Sequence, residues 1–141
     1  MQTEQLAEQL GRKLKGGEVI ELTSDLGGGK TTFVHGLARG FGSSDRVGSP
    51  TFTISRVYQA GERLLYHFDF YRLSEAGLIA EELAEAIGEP RAVVVVEWGD
   101  IVQDVLPKER LTIAITNAGN NMRSLAFYYP ASLDYLVKGL Q

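Results

Sequence analysis

The sequence predicts one α/β domain with a mainly parallel central sheet, antiparallel strands beside it and helices on both faces. Three observations carry this prediction. A short strand, "EVIEL" (Glu18 to Leu22), runs into a glycine loop and then into an amphipathic helix. The run "AVVVVEW" from Ala92 is continuously apolar and β-branched, the pattern of a strand buried on both faces of a parallel sheet. Two alternating runs, "SPTFTISRVYQ" and "RLLYHFDFYRL", are separated only by Ala60-Gly61-Glu62, which predicts an antiparallel hairpin.

The elements follow in order. Leu6, Leu10 and Leu14 recur every fourth residue, so residues 3–15 read as an amphipathic helix. Thr3 stands at its N-cap position and Gly16-Gly17 end it. After the glycine loop, Phe33, Val34, Leu37, Ala38 and Phe41 trace one face of a second helix, stopped by Gly40 and Gly42. The hairpin comes next. Ser74 can cap a helix that runs to Ile87, with Gly88 and Pro90 closing it. Beyond "AVVVVEW" lie two alternating strands, Leu111 to Thr116 and Arg123 to Tyr129, joined by the turn-rich "NAGNN". A short helix over Leu133, Leu136 and Leu140 comes last. No repeat, low-complexity tract or linker divides the 141 residues, so one domain spanning residues 1–141 is the economical reading.

Composition narrows the function classes. Hydrophobic residues make up 44% and charged residues 23%, an ordinary globular balance. No apolar run approaches the roughly 18 residues of a membrane span, and "MQTEQLAEQL" lacks a signal peptide's apolar segment. The absence of cysteine removes disulfides and thiolate metal sites. A soluble cytoplasmic protein is expected. A net charge of −4 and scattered basic residues argue against a surface that tracks nucleic-acid phosphates, which calls for a basic stripe. Any nucleic acid would be held by a partner.

The segment "SDLGGGKTT", Ser24 to Thr32, carries the chemistry. It matches the phosphate-loop pattern G-x-x-x-x-G-K-[ST] except that Ser24 stands at the first glycine. Three consecutive glycines leave backbone N–H groups free to curl around phosphate oxygens. The helix that starts near Lys30 adds unpaired N–H groups and the positive end of its dipole. Lys30 can then reach the outer phosphates, and the Thr31 hydroxyl can bind Mg²⁺. Serine is small and tolerated in turns, and its presence removes none of the donors at 27–31. Perturbed affinity is expected, not lost binding.

A phosphate loop needs a second magnesium group, commonly an acid after an apolar strand. Glu97, directly after Val93-Val94-Val95-Val96, fits. As a glutamate it either holds the metal through water or orients the attacking water, or it merely ends a buried strand. Along the hairpin, Leu65, His67, Asp69 and Tyr71 share one face. A half-exposed antiparallel strand produces such a face without chemistry, yet three proton-handling groups stand there in a row. Ser49, Thr51 and Thr53 likewise alternate along "SPTFT"; they are either ordinary strand hydroxyls or a switch segment that meets a γ-phosphate.

Together these segments resemble the TsaE family, the small ATPase of bacterial tRNA threonylcarbamoyladenosine synthesis. "SDLGGGKTTF", "SPTFT", "YHFDFYRL" and "VVEW" match its four motifs in order. The resemblance implies a P-loop NTPase fold, with ATP or ADP phosphates on Asp25, Leu26, Gly27, Gly28, Gly29, Lys30, Thr31 and Thr32. It implies Mg²⁺ at Thr31 and Glu97, with Asp69 close to the metal or the attacking water, so that Lys30, Asp69 and Glu97 carry the catalysis. Thr51 would belong to a switch-like segment, Trp98 to the nucleotide or partner surface, and Thr3 and Arg123 to nucleotide contacts. Implied partners are the TsaD and TsaB proteins, with tRNA met only indirectly and no membrane. Ser24, and Gly99-Asp100 after Trp98, depart from the family pattern. The rival readings are a small-molecule P-loop kinase and a nucleotide-gated docking module without significant hydrolysis.

Overall fold

The computed structural model describes residues 2–24, 30–43, 55–70, 79–97, 102–119 and 122–140. In chain order these form α1 (Gln2–Lys13), β1 (Val19–Ser24), α2 (Lys30–Phe41), β2 (Ser55–Ala60), β3 (Arg63–Asp69), α3 (Ile79–Ile87), β4 (Ala92–Glu97), β5 (Leu111–Gly119) and β6 (Met122–Tyr128). A 3-10 turn, Ala131–Leu133, leads into α4 (Asp134–Val137). Among the described residues no helix is long and apolar enough to cross a membrane.

One six-stranded sheet has the order β2-β3-β4-β1-β5-β6. Its inner strands β3, β4, β1 and β5 are parallel, and β2 and β6 pair antiparallel at the two edges. The fold class is therefore as the sequence predicts. All six residues of β4 are buried, because β4 sits inside the sheet with packed layers on both faces. Alternation sorts the layers. Ile20, Leu22, Leu65, Val93, Val95, Leu111 and Ile113 pack with α1 and α2. Val19, Phe68, Val94 and Val96 pack with Leu83 and Ala86 of α3 and with Val102 and Leu106 on the other face.

The expected hairpin forms with Gly61 at φ +64° in its turn. The strands run further into "NAGNN" than expected, since β5 extends to Gly119 and β6 begins at Met122. The expected start of the third helix at Ser74 lies outside the described residues.

One expectation is corrected. Gly40 does not stop α2 but lies inside it. Its role is close approach. A Cβ there would meet the Glu8 carbonyl oxygen at 2.0 Å, and one at Gly36 would meet the Glu4 carbonyl oxygen at 2.3 Å. These two contacts also show that α1 and α2 run side by side in the same direction. An Ala normally gains up to about 1 kcal/mol over Gly in a helix, but backbone atoms at that distance cannot yield. Gly40→Ala should therefore destabilise by roughly 1–3 kcal/mol, read as a lower urea midpoint. Gly88→Ala, whose new Cβ has its nearest neighbours at 3.6 Å, should stay within about 0.5 kcal/mol of the parent.

Arg63 closes the far end of this helix pair. Its guanidinium donates to Leu14 O (3.0 Å) and Phe41 O (2.9 Å) and lies 4.2 Å over the Phe41 ring. The last carbonyls of both helices are thus satisfied by one cation, the sign their dipoles favour.

Candidate active site

Because β3, β4, β1 and β5 are parallel, their carboxyl ends emerge along one edge of the sheet, the usual ligand edge of open α/β sheets. The register places Asp69 beside Glu97 on neighbouring strands, and Glu97 beside Leu22 of β1. Phe70 N donates to Glu97 O at 3.0 Å, carrying the β3–β4 ladder to its last residue. Ser24 ends β1 opposite Ile115, and Arg123 pairs with Asn117 near the same end of β5. Residues 25–29 separate β1 from the start of α2 at Lys30. Since α1 runs alongside α2 in the same direction, Thr3 in its first turn belongs to this end of the molecule.

The topology thus gathers Thr3, the start of α2, Asp69, Glu97 and Arg123 at one edge. Thr32 is exposed in the first turn of α2. The backbone of Lys30 and Thr31 opens that helix, while their side chains lie outside what the structure describes, as do Asp25, Leu26, Gly27, Gly28, Gly29, Thr51 and Trp98. One electrostatic feature of α2 stands out. Helices α1 and α3 carry acids in their first turn, Glu4 and Glu81-Glu82, but α2 carries none and begins with Lys30. Helix stability favours acids at that position. An amino end without an acid of its own suits an external anion instead.

Asp69, His67 and Glu97 lie on the α1/α2 side of the sheet, sharing a face with Leu65, Val93 and Val95. The half-exposed strand considered for His67 is not what forms. β3 is an inner strand whose polar face is the covered one, and His67 is 0% exposed while Glu97 is 3% exposed. Asp69 is half-buried. The Nε2 of His67 is hydrogen-bonded to Glu97 Oε2. Its Nδ1 has no hydrogen-bond partner among the described residues. The sequence places His67 on the correct face, but its contact with Glu97 depends on the pairing of β3 with β4, which the spacing alone does not give.

Two more buried carboxylates went unread in the sequence, and both are structural. Glu18 accepts from Lys15 N (2.9 Å), Gly16 N (2.7 Å) and the Tyr135 hydroxyl (2.6 Å). Burial, and then the Glu18 carboxylate, push the Tyr135 hydroxyl well above its usual range. Glu21 accepts from Gln103 Nε2 (2.7 Å), Arg110 Nε (3.0 Å) and Thr112 Oγ1 (3.3 Å). These acceptors serve the fold; Asp69 and Glu97 stand at the strand ends, where Glu97 Oε2 meets His67. Oxygen donors of this kind suit Mg²⁺, which keeps several waters and needs only one or two carboxylates alongside phosphates. The donor chemistry therefore fits that ion.

Comparison with known proteins identifies the family and the fold. Residues 1–125 match the family described as threonylcarbamoyl adenosine biosynthesis protein TsaE. The tRNA threonylcarbamoyladenosine biosynthesis protein TsaE of Bacillus subtilis (strain 168) is 39% identical over 127 residues, covering 89% of this chain and 78% of that protein. Its counterpart in Treponema pallidum (strain Nichols) is 38% identical over 116 residues, covering 82% and 85%. The crystal structure of Bacillus subtilis YdiB aligns with a TM-score of 0.78 at 36% identity, covering 98% of this chain and 86% of that one.

Proposed function

The chain belongs to the TsaE family of threonylcarbamoyl adenosine biosynthesis proteins, and from that premise we propose that it serves tRNA threonylcarbamoyladenosine biosynthesis as a Mg²⁺-dependent ATPase acting with TsaD and TsaB proteins. The observation that supports this most is the pair Asp69 and Glu97, level with each other at the strand ends and on the face packed against α2. In a P-loop enzyme the acid beside the loop is the group that handles metal and water.

In this reading the loop amides at 25–29 and the amino end of α2 bind the phosphates, and Lys30 meets the outer ones. Thr31, Asp69 and Glu97 would hold Mg²⁺, which when bound offsets charge on the terminal phosphates. Glu97, or Asp69 beside it, orients the attacking water. Arg123 stands three strands from Glu97 and four residues farther along the strand direction, about 19 Å away at ordinary strand geometry, so it would meet the nucleoside end. A net charge of −4 leaves tRNA to the partners.

Hydrolysis by the isolated chain should be slow, because the loop segment Ser24 to Thr32 carries no arginine of its own, although Arg72 could swing in. Addition of TsaD and TsaB proteins should raise phosphate release at least about tenfold by engaging the "SPTFT" segment. Release that stays flat while ATP-dependent docking persists would instead identify a nucleotide-gated docking module.

A further inference from the structure

We infer that His67 is a positioning residue, which holds Glu97 in place through the Nε2–H tautomer of its ring. The inference rests on the role proposed for Glu97, but its first test does not. The starting observations are that His67 is 0% exposed, that its Nε2 bonds to Glu97 Oε2, and that its Nδ1 has no partner among the described residues.

Three proton arrangements could link such a pair. A doubly protonated ring would bury an Nδ1–H with no acceptor. A protonated carboxyl donating to Nε2 would put the ring hydrogen on Nδ1 and bury the same orphan donor. Only an Nε2–H ring donating to a carboxylate leaves a bare lone pair at Nδ1. Orphaned buried N–H groups are rare in folded proteins, while under-used acceptors are tolerated more often, and an unmade donor bond costs its full desolvation. The third arrangement is therefore the one this site holds.

The consequence is directional. One oxygen of Glu97, Oε2, is committed to a ring that is itself fully buried on the α1/α2 face of the sheet. The carboxylate cannot turn about its own axis without breaking that bond. Changes of partner at the strand ends then fall to its other oxygen. Outer partners that fix a metal-handling or water-handling group in this way commonly account for about 10–100-fold in metal affinity or activity.

The chain has only two histidines, His35 and His67, so side-chain ¹⁵N–¹H correlation spectra of the intact protein can test the tautomer without ligand. A His35→Gln variant assigns the signals. The expected pattern for His67 has a protonated Nε2 and an unprotonated Nδ1; an Nδ1–H or doubly protonated pattern overturns the inference. The second test compares His67→Leu with His67→Gln, since the glutamine amide still offers an N–H at similar reach. The leucine variant should bind ATP without Mg²⁺ within about threefold of the parent, but need about tenfold more Mg²⁺ for half-maximal turnover and lose about tenfold in kcat. The glutamine variant should recover most of both. Equal behaviour of the two variants, or parent-like Mg²⁺ dependence in the leucine variant, refutes positioning, and the ¹⁵N pattern decides the matter if the leucine variant does not fold.

Discussion

Lys30→Ala should remove ATP binding, with affinity measured by calorimetry falling at least about 100-fold, or about 3 kcal/mol. The reasoning starts from α2, a 12-residue helix with no acid in its first turn and a lysine as its first residue. A cation there opposes the helix macrodipole by about 0.3–1 kcal/mol, so the side chain contributes nothing obvious to the helix. Its use lies in the anion it can meet beside the unpaired amides of the first turn. The unliganded fold should therefore survive the change, seen as an intact melting transition. Lys108→Ala, at an exposed position, should bind ATP as the parent does. Parent-like affinity in Lys30→Ala would remove residues 25–32 from the nucleotide site.

Glu97→Gln and Asp69→Asn should have the opposite signature, with binding kept and turnover lost. Each should hold ATP within about threefold of the parent while kcat falls about 100-fold or more, the pattern of an interaction made chiefly in the transition state. Amide replacements are the better test because Glu97 is 3% exposed and bonded to His67. Removing the whole side chain would leave a buried partner unsatisfied and add a folding cost of its own. The glutamine oxygen can still accept from His67 Nε2, so the melting temperature should stay near the parent's. A variant that hydrolyses ATP normally would strike that residue from the mechanism.

Much of this was legible in the sequence because local pattern and tertiary role coincide. The apolar run Ala92–Val96 could be satisfied only between two layers, and all of β4 is buried. Glu97 ends that run at the sheet's open edge, so its position followed from the strand alone. The hairpin was equally plain, since Gly61 sits between two alternating runs and adopts a positive φ. What failed was information carried by neighbours distant in the chain. Gly40 reads as a helix stop in isolation, and only the approach of Glu8 from α1 explains it. His67 reads as one polar residue on an alternating strand, and the pairing of β3 with β4 turns it into a partner of Glu97. Glu18 and Glu21 look like solvated strand carboxylates, yet each is held by donors more than 80 residues away in sequence, Glu18 by Tyr135 and Glu21 by Gln103, Arg110 and Thr112.

The most direct measurement is a crystal structure with Mg²⁺ and a non-hydrolysable ATP analogue in excess. The expected result is a triphosphate lying across residues 25–32, its metal beside Asp69 and Glu97 and its nucleoside toward Arg123. An analogue bound on the α3 face of the sheet, or a carboxyl edge filled by the protein's own side chains, would contradict the assignment of this edge as the nucleotide site.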